Sequence, residues 1–260
     1  MKAPVALALA AATAGLTLAG CGGSGSDKPA PKTVAVQNQP GKTTVVDATY
    51  DPKIDPAKFT ANITNPYLPW KPGNRWVYTG QKDGAPQRVE VTVTNERKSI
   101  LGVDCVVVRD VVTVNHTLHE KTVDWYAQDD KGNVWYFGED TAEYVNGVVS
   151  STAGSWEAGV DNAKAGIVMP AQPKPGGFYR QEYRPGIAED KARIITTTGT
   201  QSTPAGSFKS VVETRDIDPL NPDKKELKWY AKGVGAIHVI RTRSAHSEEI
   251  KLVRASTGPR

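Results

Sequence analysis

Alternation of polar and apolar residues is the feature that most constrains this fold, and it runs through nearly all of the chain after Asn74. Arg88 to Thr94 alternates strictly, as a strand with one buried face does. Val103 to Val114 is apolar almost throughout, which is typical of a central strand covered on both faces. No segment keeps a helical period for more than about three turns. We therefore predict a mainly β fold with few short helices.

A β-hairpin is predicted where Leu118–Gln128 and Val134–Phe137 flank the turn sequence at residues 129–133. About ten antiparallel strands in roughly 190 residues suit one core, so residues 58–260 are predicted to form a single domain. We expect one antiparallel sheet curled into an open or half barrel, with a β-sandwich as the alternative. Ala165 to Gly177 is predicted to be an irregular loop because of its glycines and prolines. The further predicted strands lie at 142–149, 177–184, 191–200, 207–217, 225–231, 235–243 and 247–254.

The first 20 residues have the form of an export signal. Lys2 precedes an apolar run from Pro4 to Leu18, which is too short to span a bilayer. The run ends in Leu-Ala-Gly followed by Cys21, which resembles the lipobox of bacterial lipoproteins, and this resemblance implies cleavage before Cys21 and acylation of its thiol. The alternative is a secreted protein cut by the ordinary signal peptidase. We predict a lipid-anchored protein of the cell membrane or outer membrane, exposed to the periplasm or the cell exterior.

Residues 21–57 are predicted to be a lipidated, disordered tether, because they are rich in Gly, Ser, Pro and charged residues and contain few large apolar ones. Asp55 and Pro56 have the pattern of a helix N-cap followed by proline, opening one or two turns through Phe59 and Ile63. Because Cys21 is assigned to lipidation, Cys105 has no disulfide partner and is expected on a buried strand.

The charge of the chain excludes some partners and favours one region. The net charge is +4 and no basic cluster is present, so no nucleic acid partner is expected. The segment from Asp124 to Asp190 carries eleven acids against five bases, and three of the six tryptophans. It is thus an aromatic and acidic region within a mildly basic chain. No cofactor is expected, and we expect a monomer.

Several longer motifs carry a resemblance to a family. The chain resembles a family of exported bacterial proteins with no assigned activity in the motifs NPYLPWKPGNRWVY, DWYAQDDKGNVWYFGEDTAEY, GSWEAGVDNAKAGIVMPA, YRQEYRPGIAED and TPAGSF followed by KWYAKGVGAI. The resemblance covers most of residues 63 to 243 and implies export and a shared fold, but no catalytic residues. The pattern from TPAGSF to YAKGVGAI also looks, more loosely, like strands of lipoproteins with a lipoprotein-carrier-like half barrel. This second likeness concerns the fold alone.

The leading hypothesis is a ligand-binding module that uses the aromatic and acidic region. Rings on both arms of the predicted hairpin would lie on both faces of the ribbon, so one face is left for a ligand. An aromatic floor rimmed by carboxylates suits a small polar ligand, a glycan or a cationic group. The candidate ligand-binding residues are Trp125, Tyr126, Trp135, Tyr136, Glu139, Trp156, Glu157, Asp161 and Glu182. The alternative is a purely structural role, in which these rings fill the core of a curved sheet.

Three alternatives stay open. In a lipid carrier, the inward-facing valines 106, 108, 112 and 114 would shelter an acyl chain. In a hydrolase, Glu139, Glu157 and Glu182 would supply paired carboxylates about 5 to 10 Å apart, although enzyme activity is the less favoured reading. A structural or protein-partner role at the envelope is the third. No metal site is predicted, because the two histidines of His116-Thr117-Leu118-His119 would point to opposite faces of a strand.

Overall fold

The computed structural model describes residues 50–258, and most of them belong to β-strands. A single 3₁₀ helix, Pro56–Lys58, precedes the sheet. Among these residues no helix has the length and apolar character needed to cross a membrane. The strands are β1 (Phe59–Thr60), β2 (Arg75–Lys82), β3 (Ala85–Ile100), β4 (Val103–Val114), β5 (Thr117–Asp129), β6 (Val134–Val145), β7 (Val148–Ser151), β8 (Trp156–Glu157), β9 (Lys164–Met169), β10 (Phe178–Arg180), β11 (Glu182–Tyr183), β12 (Lys191–Thr203), β13 (Gly206–Ile217), β14 (Lys224–Ala231), β15 (Gly235–Arg243) and β16 (His246–Ser256).

The strands form a single antiparallel sheet that is nearly closed as a barrel, with one seam. The order runs β10-β12-β13-β14-β15-β16-β2-β3-β4-β5-β6-β9-β11, and the short strands β1, β7 and β8 pair at the side of this path. Hairpin neighbours along the chain are therefore neighbours in the sheet. The predicted curled antiparallel sheet is confirmed, and the structure is not a β-sandwich.

The seam lies where one short segment pairs with both ends of the sheet. Phe178–Arg180 pairs with β12, and after one intervening residue Glu182–Tyr183 pairs with β9. Gly166 of β9 allows the close approach, since a Cβ at this position would lie 2.4 Å from the carbonyl carbon of Gln181. Any larger residue would push the seam apart.

The N-terminal helix matches its predicted cap but is shorter than expected. The Asp55 side chain accepts a hydrogen bond from the backbone N–H of Ala57, with Pro56 in the first turn. The helix ends at Lys58 because Phe59 pairs with Asp129 of β5 and so adopts an extended backbone. The residues from Tyr50 onward contact the sheet, so part of the segment predicted as tether lies against the domain. The predicted signal peptide, Cys21 and most of the tether lie outside the described residues.

Two strand predictions differ from the structure, and each has a physical reason. β9, Lys164–Met169, lies in the segment predicted as an irregular loop. Its residues are buried in adjacent pairs, so the sequence does not alternate between polar and apolar. In addition, Gly166 and Pro170 are residue types that are common in loops. The strand predicted at 142–149 is interrupted by a turn at Asn146 and Gly147, both with positive φ.

The core fills the interior of the curved sheet with both apolar and charged side chains. Apolar packing centres on valines of β3 and β4 and on rings such as Tyr78 and Trp76. Cys105 is buried and unpaired, and burial raises the pKa of its thiol. The apolar positions thus account for only part of the interior. The remaining interior positions hold ionisable groups, which the next section describes.

Candidate functional site

The two tyrosines of the predicted site lie inside the barrel. In the β5–β6 register Tyr126 faces Tyr136, and Asp124 faces Glu139. The two tyrosine rings stack with centroids 4.7 Å apart, and both side chains are fully buried. The Tyr136 hydroxyl donates to Asp124 at 2.6 Å. These side chains therefore contact each other and have no access to solvent.

The two tryptophans of the hairpin lie on the opposite, outer face, so the hairpin carries rings on both faces. Trp125 is covered by Lys98, whose Nζ lies 3.5 Å from the ring centroid. Trp135 packs edge-on against Phe59 at 5.9 Å, and its indole N–H donates to Asp129 at 2.9 Å. The outer rings are thus largely covered by other parts of the chain.

The five other predicted residues are divided between the same two environments, and Glu139 is buried on the inner side. Trp156 is buried edge-on against Tyr136, with ring centroids 5.3 Å apart. Glu182 is fully buried. On the outer side, Glu157 accepts a hydrogen bond from Lys98 at 2.7 Å, and Asp161 pairs with Arg184 at 2.8 Å. The nine residues do not meet at one open cleft, and ligand binding by them stays a prediction.

A group of buried carboxyls lies beside the stacked tyrosines. Burial raises the pKa of Glu120 to about 8 and that of Asp124 to about 7. Burial and then the neighbouring Asp124, Glu182 and Glu120 raise the pKa of Glu139 well above its ordinary value. Burial and Asp190 do the same for Glu182, neither of whose oxygens has a hydrogen-bond partner among residues 50–258. Burial thus favours the neutral form of these carboxyls, because an ionised carboxylate is costly to bury.

Farther around the barrel, buried acids are paired with buried bases. Arg241 donates to both carboxylate oxygens of Glu226, at 2.7 and 2.8 Å, and to Glu248 at 3.0 Å. Lys228 lies 2.6 Å from Asp216 and 2.9 Å from Glu226. Although burial raises it, Arg241, Lys228 and Lys224 hold the pKa of Glu226 well below its ordinary value. This interior ion-pair network joins side chains of β13, β14, β15 and β16.

The interior bears on two of the alternatives. The valines proposed to shelter an acyl chain, Val106, Val108 and Val112, pack within the filled core. The interior space bounded by Trp76, Asp124 and their neighbours measures about 20 Å³, room for about one water molecule. Trp156 is paired opposite Glu139, so Glu157 points to the other face, whereas Glu139 and Glu182 are both buried and interact with each other. No cluster of three metal-ligating side chains occurs between Tyr50 and Gly258.

A different site lies on the outer face of β10, β12, β13 and β14. We call it the basic groove, a cavity of about 400 Å³ in the surface. Phe178 pairs across the sheet with Arg193, which pairs with Arg215, and Lys191 pairs with Ile217. The guanidinium of Arg193 and the ammonium of Lys191 lie 5.7 and 5.9 Å from the Phe178 ring centroid. The residues that define the basic groove are Phe178, Lys191, Arg193, Arg215, Ile217 and Lys225.

The charges of the basic groove have no counter-ions among the residues that the structure describes. Within the described part of the chain, none of its four cations forms an ion pair. Asp216 and Asp218 also line the cavity, but their carboxylates pair with the buried Lys228 and Lys224. Phe178 is 53% exposed although it is the aromatic centre of the groove. The groove thus presents positive charge around an accessible apolar ring.

The sequence contained a signal for the basic groove that composition did not show. Lys191 and Arg193 alternate along one predicted strand, and Arg215 and Ile217 along the next. Pairing these strands through the turn at residues 203–206 brings the four side chains together, but only after the register is known. Basic residues spread over three strands do not form a run along the chain.

Comparisons with known proteins give a distant likeness. No protein-family model matches the chain, and no curated protein matches it. One similar solved structure is a protein described as exported, with a YmcC-like fold, from Bacteroides fragilis NCTC 9343; it is 15% identical with a TM-score of 0.41, over 72% of this chain and 97% of that one. Another, described as a lipoprotein, is from Parabacteroides distasonis ATCC 8503 and is 14% identical with a TM-score of 0.39, over 73% and 98% of the two chains. The chain is thus similar to an exported protein and to a lipoprotein, and it takes no residue role from either.

Proposed function

We propose that this chain is an envelope lipoprotein, anchored through Cys21, whose β domain binds an anionic ligand in the basic groove. The observation that carries the proposal is the set of four cations without ion-pair partners around the exposed ring of Phe178, among the described residues. Most other surface arginines of the domain are paired, as Arg88 is with Glu90 and Arg109 with Glu96. An anion that binds in the groove therefore does not have to displace an ion pair of the described residues.

The chemistry of the groove defines a ligand class. Arginine presents a planar fork that binds phosphate, sulfate or carboxylate oxygens in pairs, and lysine adds a point charge. Phe178 and Ile217 offer apolar surface beside these charges. A ligand that combines an acidic group with an apolar part matches both features. The cavity of about 400 Å³ is of a size that suits a small ligand.

The aromatic and acidic region is the weaker candidate for binding. Its inner members are sealed in the core, and its outer members Trp125 and Glu157 are both in contact with Lys98. Anchoring at a membrane and a monomeric state are part of the proposal. Anchoring is tested by labelling cells with a radioactive fatty acid, which should mark the protein and fail to mark the Cys21→Ser variant.

Ligand binding is tested on the unacylated chain from residue 21, with Cys21→Ser and an ordinary secretion signal. The probe is dihexanoylphosphatidylglycerol, a soluble anionic amphiphile, titrated below its micelle concentration by calorimetry. We expect binding that weakens with salt and falls about tenfold or more in the double variant Lys191→Gln/Arg215→Gln, which loses charge-assisted bonds. The matched control Arg88→Gln/Arg109→Gln loses the same charge from paired surface positions and should bind normally. Equal losses in both variants would refute a site at the groove.

A further inference from the structure

We infer that the anionic partner of the basic groove is the headgroup surface of the bilayer in which the chain is anchored, so that the barrel lies with its β10–β12–β13 face on the membrane. This inference rests on the proposed function and names the partner of the same site. It follows from the place where the chain enters the domain and from the chemistry of the face around that place.

The chain joins the domain beside the basic groove. The Tyr50 hydroxyl donates to the carbonyl of Ala165 at 2.8 Å, and the Tyr50 ring lies 5.2 Å from the guanidinium of Arg180. Arg180 is two residues from Phe178 on the same strand and pairs directly with Lys191 of β12. Side chains two residues apart on a strand lie on one face, about 7 Å apart. Tyr50 is therefore a neighbour of the groove on its own face of the sheet.

Few residues separate the anchor from the domain. Cys21 and Tyr50 are 29 positions apart in the sequence (50 minus 21). Whatever its conformation, a chain of this length spans at most about 100 Å. An anchor attached this way keeps the face that bears Tyr50 at a high effective concentration near the bilayer. Weak contacts of that face with headgroups are then sufficient to hold it there.

The face has the composition of a membrane-contacting surface. Its four cations have no carboxylate partners within residues 50–258, so phosphate groups are free to bind them. Exposed apolar side chains lie among them: Phe178 at 53%, Ile195 at 38% and Ile217 at 36%. Each basic residue near an anionic surface contributes about 1 kcal/mol, and an apolar ring at headgroup level adds to this. Together the two kinds of residue favour an anionic bilayer over a neutral one.

The inference is tested by sedimentation of the same unacylated chain with vesicles. Vesicles with phosphatidylglycerol in phosphatidylcholine should bind the protein, and vesicles of pure phosphatidylcholine should not. Lys191→Gln/Arg215→Gln should lower the partition coefficient about 30-fold, as the loss of two basic residues implies, whereas Arg88→Gln/Arg109→Gln should not. Phe178→Ser keeps every charge. At each salt concentration it should bind the vesicles more weakly than the parent chain does.

The outcomes separate the two proposals. Binding of soluble dihexanoylphosphatidylglycerol without binding of anionic vesicles would overturn membrane docking and leave the proposed ligand site standing. Absence of both would overturn both. Vesicle binding that is unchanged in Lys191→Gln/Arg215→Gln would place the contact elsewhere on the domain and overturn the inference. A circular dichroism spectrum identical to that of the parent chain shows that each variant is folded.

Discussion

The ammonium of Lys98 lies 3.5 Å above the ring of Trp125, and the same group donates to Glu157 at 2.7 Å. An aromatic ring beside a carboxylate is an arrangement that suits a cation. Here the cation belongs to the chain itself, on the neighbouring part of β3. The aromatic and acidic pattern that indicates a ligand site thus has, at this point, an intramolecular partner.

Replacing Lys98 with methionine should have a small effect on stability. The side chains of Lys98 and Glu157 are about one-third exposed, at 35% and 33%, so solvent screens the pair. We expect Lys98→Met to lower the free energy of unfolding by about 1 kcal/mol and to change the tryptophan fluorescence, because the ring loses its cation. Urea titration followed by fluorescence measures both. An unchanged emission spectrum would show that Trp125 is not covered by Lys98 in solution.

Removing the charge of Glu226 should be far more damaging. Glu226 is buried and binds Arg241 in two hydrogen bonds and Lys228 in an ion pair. Glu226→Gln leaves buried cations without their central carboxylate, so we expect a loss of about 3 to 5 kcal/mol in the free energy of unfolding. The matched control is Glu96→Gln, whose exposed pair with Arg109 should contribute less than about 1 kcal/mol. Comparable urea midpoints for the two variants would contradict a buried network.

Glu120 should make the domain less stable as the pH rises. Burial raises its pKa from 4.5 to about 8, against the opposing effect of Lys82. Between these values the unfolded chain releases a proton that the folded chain keeps, so the stabilisation present below pH 4.5 is lost as the pH rises through about 8. Burial raises the pKa of Asp124 and of Asp190 to about 7, which acts in the same direction.

The test compares Glu120→Gln with the parent chain at pH 5 and at pH 9. Glutamine cannot ionise, so the free energy of unfolding of the variant, measured by urea titration, should fall less between the two pH values. We expect the two falls to differ by an amount on the order of a few kcal/mol. The exposed variant Glu96→Gln should follow the parent curve. Parallel curves for Glu120→Gln and the parent chain would mean that Glu120 ionises normally and is not sealed.

Gly166→Ala should open the seam of the barrel. An added Cβ would lie 2.4 Å from the carbonyl carbon of Gln181 and 2.5 Å from its oxygen, so the backbone must move. We expect a loss of about 1 to 3 kcal/mol and faster hydrogen exchange at residues 178–183. Gly147→Ala, at a turn with φ of +78° and open space around it, should cost stability without affecting exchange at the seam. Protection at residues 178–183 that survives Gly166→Ala would contradict the close approach.

The fold was largely predictable because alternation along a strand reports directly on one buried face. The strands β5, β12, β13 and β15 begin and end within a few residues of their predicted bounds, and so does β4, which was predicted from a continuous apolar run. β9 was not predictable, since adjacent residues such as Val168 and Met169 are both buried and its pattern has no period of two. The closing of the barrel at Gln181 was not predictable either, because it depends on a close contact between two backbone segments and not on a side-chain pattern.

The site was less predictable because a strand pattern shows that two faces exist without showing what covers each one. Tyr126 and Trp125 are adjacent in sequence, yet the first lies in the barrel and the second beneath Lys98. Many acids of the aromatic and acidic region were expected at a surface, and Glu139 and Glu182 lie in the interior. Burial and the nearby Asp124 and Asp190 raise the pKa of these two carboxyls, and no local pattern reveals such neighbours.

The pairing of β2 with β16 has a consequence for the order in which the molecule assembles. Arg75 of the first long strand pairs with Ser256 of the last, in the middle of the sheet and not at its edge. Until residues 246–256 have emerged from a ribosome or a translocation channel, β2 and β15 each lack a neighbour. The incomplete chain then exposes two unpaired strand edges, which can pair with other chains. We therefore expect it to need chaperones before the last strand is in place, and to fold late and slowly.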